Sequence, residues 1–194
     1  MLNDEKIKLP RFYNEIKAAS EKLQFNMLSD LKTGSLLRTL AASKPRGNFL
    51  ELGTGTGLSL AWLAEGADQQ AVITSVDNDP ICQKIARQTF AADTRITFEV
   101  ADGNTWLQKY SGPQFDLIFA DAWPGKFAHL SETLALVKVG GFYFIDDLLP
   151  QPNWPQEHPP KVEALLAELE TQDNFVYTTF NWSTGLMLFT KIKE

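Results

Sequence analysis

Phe49-Leu50-Glu51-Leu52-Gly53-Thr54-Gly55-Thr56-Gly57-Leu58-Ser59 is the stretch on which the fold turns. A short apolar run ends in three glycines at alternate positions, and a helical pattern, Leu58 to Glu65, starts at once. Glycine is required where a backbone takes a positive φ or passes too close to a ligand for a side chain. A strand, a glycine-rich turn and a helix N-terminus together direct backbone N–H groups at a bound ligand. The next apolar run ends at Asp77, 20 residues beyond Gly57, where a doubly wound fold holds a ribose. The spacing points to a nucleotide-type ligand.

Downstream of this turn, strand and helix patterns alternate. Strands are expected at 48–53, 71–77, 95–101, 115–120 and 141–146, and helices at 57–65, 80–91, 103–110 and 126–138. Asp79-Pro80 supplies a cap and a first-turn proline for the second of these helices. Alternation at this length means βαβ units in a parallel sheet, covered on both faces. The proline-rich stretch from Leu148 to Pro160 reads as a loop, followed by a helix at 161–172. Two last strands, 175–180 and 186–191, flank Asn181-Trp182-Ser183-Thr184-Gly185, which is hairpin chemistry. The expected fold is α/β, Rossmann-like and doubly wound, with a mostly parallel sheet closed by an antiparallel hairpin. Upstream of the glycines, helical spacing covers 11–24, with Phe12, Ile16, Ala19 and Leu23 in register, and 35–43, with Leu36, Leu37 and Leu40. These two helices could cover a ligand or serve as packing.

Composition narrows the function. A chain of 194 residues forms one domain with a full core. A net charge of −6 without a basic run argues against a nucleic-acid partner or an anionic membrane surface. The single Cys82 rules out an internal disulfide and a cysteine-based zinc site, and is expected to be buried and inert. The start, Met1-Leu2-Asn3-Asp4-Glu5-Lys6, lacks the basic-then-apolar pattern of a signal peptide, and no window is apolar enough for a membrane helix. The expected location is cytoplasmic.

From about Met27 onward the chain resembles the class I S-adenosylmethionine-dependent methyltransferases, in particular the small O-methyltransferases of the catechol and caffeoyl-CoA type. The resembling motifs are Glu51 to Ser59, Ser75 to Pro80, Phe115 to Trp123, Leu136 to Gly141 and Ile145-Asp146-Asp147, with the closing hairpin matching that fold's reversed last strand. The resemblance implies a single methyltransferase domain over 1–194, with residues 1–46 as N-terminal cap helices and 47–194 as the cofactor-binding core. It implies S-adenosylmethionine as cofactor, a small aromatic hydroxyl acceptor and a homodimer as the usual assembly.

Asp77 is the ribose candidate, with Asn78 beside it. The resemblance places Glu51 and Ser59 near the methionine end of the cofactor, the turn Gly53, Thr54, Gly55 and Gly57 under it, and Asp102-Gly103 near the adenine, although Asp-Gly is also a common turn. It also implies a divalent metal, Mg²⁺ or another hard cation, held by Asp121, Asp146 and Asp147. This chain departs from that pattern twice. Asp147 stands where the family has an amide, and Pro124 stands where it has a lysine, the nearest lysine being Lys126. A metal-free site, with Asp121 beside the cofactor and Asp146 as base, is the competing account. Lys126 and His158 complete the catalytic candidates, His158 because its ordinary pKa suits a general base. His129 is expected within a helix as a packing or surface residue, and Trp123, Trp154 and Trp182 could wall an acceptor site. Two other functions stay open: a cofactor-binding protein without transfer activity, and an NAD-linked oxidoreductase.

Overall fold

Each β-strand of the central sheet alternates its side chains between two faces, and here both faces are apolar. Phe49 in β1 (Asn48–Leu52) packs into one core layer and its neighbour Leu50 into the other. The computed structural model describes residues 6–152 and 154–194. Residues 1–5, including most of the stretch read above for a leader, and residue 153 lie outside the described residues.

The chain runs α1 (Tyr13–Leu23), α2 (Leu31–Ala42), β1, α3 (Leu58–Gly66), β2 (Val72–Asp77), α4 (Pro80–Thr89), β3 (Ile96–Val100), α5 (Gly103–Lys109) and β4 (Phe115–Ala120). It continues with α6 (Leu130–Ala135), β5 (Val137–Ile145), α7 (His158–Leu169), β6 (Phe175–Phe180) and β7 (Leu186–Lys191). The strands form one seven-stranded sheet in the order β3-β2-β1-β4-β5-β7-β6. Strands β1 to β5 pair in parallel, and β7 enters antiparallel between β5 and β6. The sheet order reverses between β1 and β4, so the C-terminal ends of these two strands open a crevice, the place where doubly wound sheets bind ligands.

Helix α3 has no polar face. Residues 58–64 are all buried, because the sheet covers one side and α2 the other. Gly34 of α2 permits that closeness: a Cβ there would lie 2.3 Å from the Trp62 Nε1 atom.

Three expectations need correction. Helix α2 starts at Leu31, earlier than expected, because Asp30 caps it by accepting from the N–H groups of Lys32 and Thr33. The helix expected over 126–138 shrinks to Leu130–Ala135. Gly125 and His129 take positive φ (84° and 58°), which folds 124–129 into a turn, so His129 caps the helix from outside. Helix α7 begins at His158, inside the stretch read as loop, since Pro159 and Pro160 fall in the first turn, where a missing N–H costs nothing. None of the helices among the described residues is long and apolar enough to cross a membrane.

Candidate active site

The glycine turn is shaped before any ligand is considered. Gly53, Gly55 and Gly57 have φ of 106°, 50° and 96°, a region costly for other residues. At Gly53 a Cβ would come within 2.8 Å of the Asp121 carbonyl oxygen, so the turn and the end of β4 touch backbone to backbone. Asp77 ties the turn to the next strand: its Oδ2 accepts from the Gly55 N–H at 2.7 Å and its Oδ1 from the Asp79 N–H at 2.8 Å. A carboxylate has about four acceptor positions, so two remain for a ligand's hydroxyls.

Around this turn lies one cavity of about 760 Å³. Its wall includes Gly53, Thr54, Gly55 and Ser59 of the turn, Asp77 and Asn78 after β2, and Asp102 and Gly103 after β3. It continues past Asp121, Trp123 and Lys126 after β4 to Asp146 and Asp147 after β5, and on to Trp154 and His158. Most residues singled out from the sequence therefore share one space. Gly57 and Glu51 do not line it. Gly57 packs on Ala86, and Glu51 is fully buried behind Ser59. Glu51 accepts from Ser59 Oγ at 2.7 Å and from Ser75 Oγ at 2.5 Å, and so orients Ser59, which does reach the cavity. Trp182 faces elsewhere, over a separate surface depression beside α2, and Cys82 is buried as expected, though it also edges the cavity.

Burial raises the Glu51 pKa from an ordinary 4.5 to about 7, against the lowering effect of the two serine hydroxyls. The folded protein thus holds this proton more tightly than the unfolded chain. The resulting stability is complete below about pH 4.5 and is lost as pH rises through 7. Glu51→Gln should flatten that loss, which amounts to about 3 kcal/mol at 1.36 kcal/mol per pH unit. Thermal unfolding at pH 4.5 and pH 8 checks it: the Tm difference between the two should be smaller in the variant than in the parent.

The acids at the rim are held by protein groups. Asp146 is almost wholly buried; its Oδ1 accepts from the Asp147 N–H at 2.6 Å and from the Thr184 hydroxyl. Asp147 takes φ of 65°, unusual for a residue with a side chain. Its Oδ1 accepts from Trp154 Nε1 at 2.7 Å, and its Oδ2 lies 3.4 Å from His158 Nε2. The His158 ring leans on Trp154, with centroids 4.2 Å apart, and meets Phe127 at 5.1 Å edge-on. Asp121 sits across from them with Ser29 Oγ at 3.4 Å from its Oδ2. Burial, and then the neighbouring Asp146, push the Asp121 pKa well up; burial raises Asp146 to about 6.

These positions do not fit the divalent metal expected of Asp121, Asp146 and Asp147. Asp147 turns its carboxylate to Trp154 and His158, one Asp146 oxygen is committed to two donors, and among the described residues no group of three or more acids, histidines or cysteines is arranged to hold a metal.

Several wall residues carried no motif. The connection between α1 and α2, not the helices themselves, crosses the cavity with Phe25, Met27 and Ser29, and the Phe25 ring comes close over Gly55. Asn104 has a buried Oδ1 without a hydrogen-bond partner among the described residues, beside Asp102 in the wall. Thr184 arrives from the closing hairpin. A search by spacing along the chain has no means of finding such residues, which only the tertiary fold brings in.

A family model described as O-methyltransferase matches residues 6–173. A Mycolicibacterium vanbaalenii protein named as a candidate O-methyltransferase is 32% identical over 113 residues, covering 56% of this chain and 50% of that protein. The chain thus spans about half the length of the curated relatives it matches. In structure it is similar to the O-methyltransferase TomG of Streptomyces achromogenes, solved with S-adenosylmethionine, at a TM-score of 0.84 and 18% identity, covering 97% of this chain and 92% of that one. The Bacillus cereus O-methyltransferase solved with SAH gives a TM-score of 0.84 at 18% identity, covering 97% and 94%. At such identity the two structures speak for the fold alone, but the family model covers most of the sequence: the chain belongs to the O-methyltransferase family.

Proposed function

We propose that this protein transfers a methyl group from S-adenosylmethionine to the oxygen of a small aromatic acceptor. The observation that carries the reading is the single cavity that runs from a ribose-type carboxylate, past a glycine turn, to a buried carboxylate flanked by tryptophans. Family membership removes the oxidoreductase alternative. The residues fit the cofactor: Asp77 retains acceptor capacity for a sugar diol, and Asn104 Oδ1 is a buried acceptor lacking the donor that an adenine amine would provide.

S-adenosylmethionine, when bound, supplies a methyl group on a sulfonium whose sulfur keeps the bonding electron pair as the new oxygen–carbon bond forms. The protein's part is positioning and proton removal. Alignment of the reacting atoms can contribute about 7–11 kcal/mol. Asp77 and the turn fix the cofactor end; Trp123 and Trp154 wall the acceptor end. Asp146, raised to about 6, is a carboxylate at neutral pH with one oxygen still able to take the acceptor's hydroxyl proton. His158 and Asp147 close the wall behind the acceptor.

Calorimetric titration with S-adenosylmethionine and with NAD, followed by transfer of labelled methyl to a panel of phenols, tests the reading. Binding of the first and not the second, with label on a phenol, is the expected result. Tight NAD binding overturns it. S-adenosylmethionine binding without transfer to any phenol turns the protein into a binder.

A further inference from the structure

Lys126 sits on a loop, where a lysine ordinarily reaches into water, yet it is only 3% exposed. The loop is pinned from below: Tyr143 donates its hydroxyl to the Gly125 carbonyl at 2.5 Å, and the Gly125 N–H donates to Ala128 O at 2.8 Å. With Gly125 at φ 84°, the chain turns the Lys126 stem into the cavity wall. Its ammonium donates to the Asp146 carbonyl oxygen at 2.9 Å. That is the one hydrogen bond it makes among the described residues, and it forms no direct ion pair with Asp121 or Asp146 there. An ammonium has three N–H donors, so two stay available to an oxygen in the cavity. A buried cation needs compensating charge nearby, and the acids of the rim provide it.

From these positions, and from the poor fit of the three acids to a divalent cation, we propose that Lys126 is the resident cation of this site: its ammonium contacts the acceptor oxygen and stabilises the anion there, and methyl transfer proceeds without a metal. The inference rests on the methyl-transfer reading. An ammonium aimed at an oxygen that gains negative charge lowers the barrier in the same way as an oxyanion-hole donor, and such donors are worth on the order of 10²–10³ in rate. The Phe127 ring lies against the ammonium, its centroid 5.6 Å away, and lowers the local polarity on that side, which strengthens the contact.

The test uses 4-nitrocatechol, whose visible spectrum reports its ionisation, added to the full chain saturated with S-adenosylhomocysteine. Saturation with S-adenosylhomocysteine is established first by calorimetry; its failure strikes the methyl-transfer reading and not this inference. The probe is expected to bind as its anion below its free pKa, with a spectrum unchanged by EDTA and by added Mg²⁺. Lys126→Met should bind the probe in its neutral form, with the ionisation midpoint moved back toward the free value. Calorimetry of Mn²⁺ alone against the parent protein should show no saturable site, a readout that stands even if the variant does not fold. Any one of four results overturns the proposal: a stoichiometric Mn²⁺ site, an anion spectrum that EDTA abolishes, an unchanged anion in Lys126→Met, or no binding of the probe to the S-adenosylhomocysteine complex.

Discussion

Replacing Asp77 by alanine is expected to weaken S-adenosylmethionine binding on the order of 100-fold. The carboxylate is asked to do two things at once. It holds the Gly55 N–H at 2.7 Å and so sets the shape of the turn, and on the proposed reading its remaining acceptor positions go to the ribose hydroxyls. Hydrogen bonds to a charged group contribute about 1.5–3 kcal/mol each, so losing even two at the lower end is a loss of roughly 3 kcal/mol. Asp77→Asn separates the roles: its amide oxygen can still accept from Gly55, but the charge is gone. Calorimetry on both variants should therefore rank alanine as the more damaging. An alanine variant with the parent's affinity would remove Asp77 from the site.

Asp146→Asn should leave cofactor affinity within a few-fold and lower the rate of methyl transfer by about 10²–10⁴, the range for loss of a positioned general base. An amide keeps an oxygen to accept from Thr184 and the Asp147 N–H, so the fold of the rim survives. What disappears, on the proposed mechanism, is the group that takes the proton. In the parent, burial raises this carboxyl to about 6, with the Thr184 and Asp147 hydrogen bonds opposing the rise. The reactive form is the ionised one, so the rate should fall as pH drops through 6, and the variant should lack that limb. Stopped labelled-methyl assays from pH 5 to 8 on a phenol that turns over decide the matter. A variant with the same acid limb as the parent would assign the limb to another group.

The ordered strand–helix pattern made the fold readable in the sequence. Strand β4 and the two strands of the closing hairpin fall where apolar alternation puts them, and Asp79-Pro80 opens α4 as expected. The errors share a cause. Residues 126–129 carry a helical composition, but Gly125 and His129 take positive φ, and the turn is fastened at Gly125 by the hydroxyl of Tyr143, 18 residues on. The start of α7 was hidden because Pro159-Pro160 reads as a break anywhere except in a first turn. For the site, the spacing that carried Asp77 and the glycines was local, so it could be read. The direction in which Asp147 points depends on one backbone torsion and on a tryptophan seven residues on, and nothing in the composition of Ile145-Asp146-Asp147 encodes it.

The two prolines that open α7 have an effect beyond marking its start. The first turn of a helix normally offers a fan of amide hydrogens, and phosphate groups settle there. At Pro159 and Pro160 those hydrogens do not exist. The helix therefore meets the cavity with the His158 ring, packed on Trp154, in place of a row of amide donors. On the proposed reading, a phosphate on the acceptor would gain no backbone donor from positions 159 and 160.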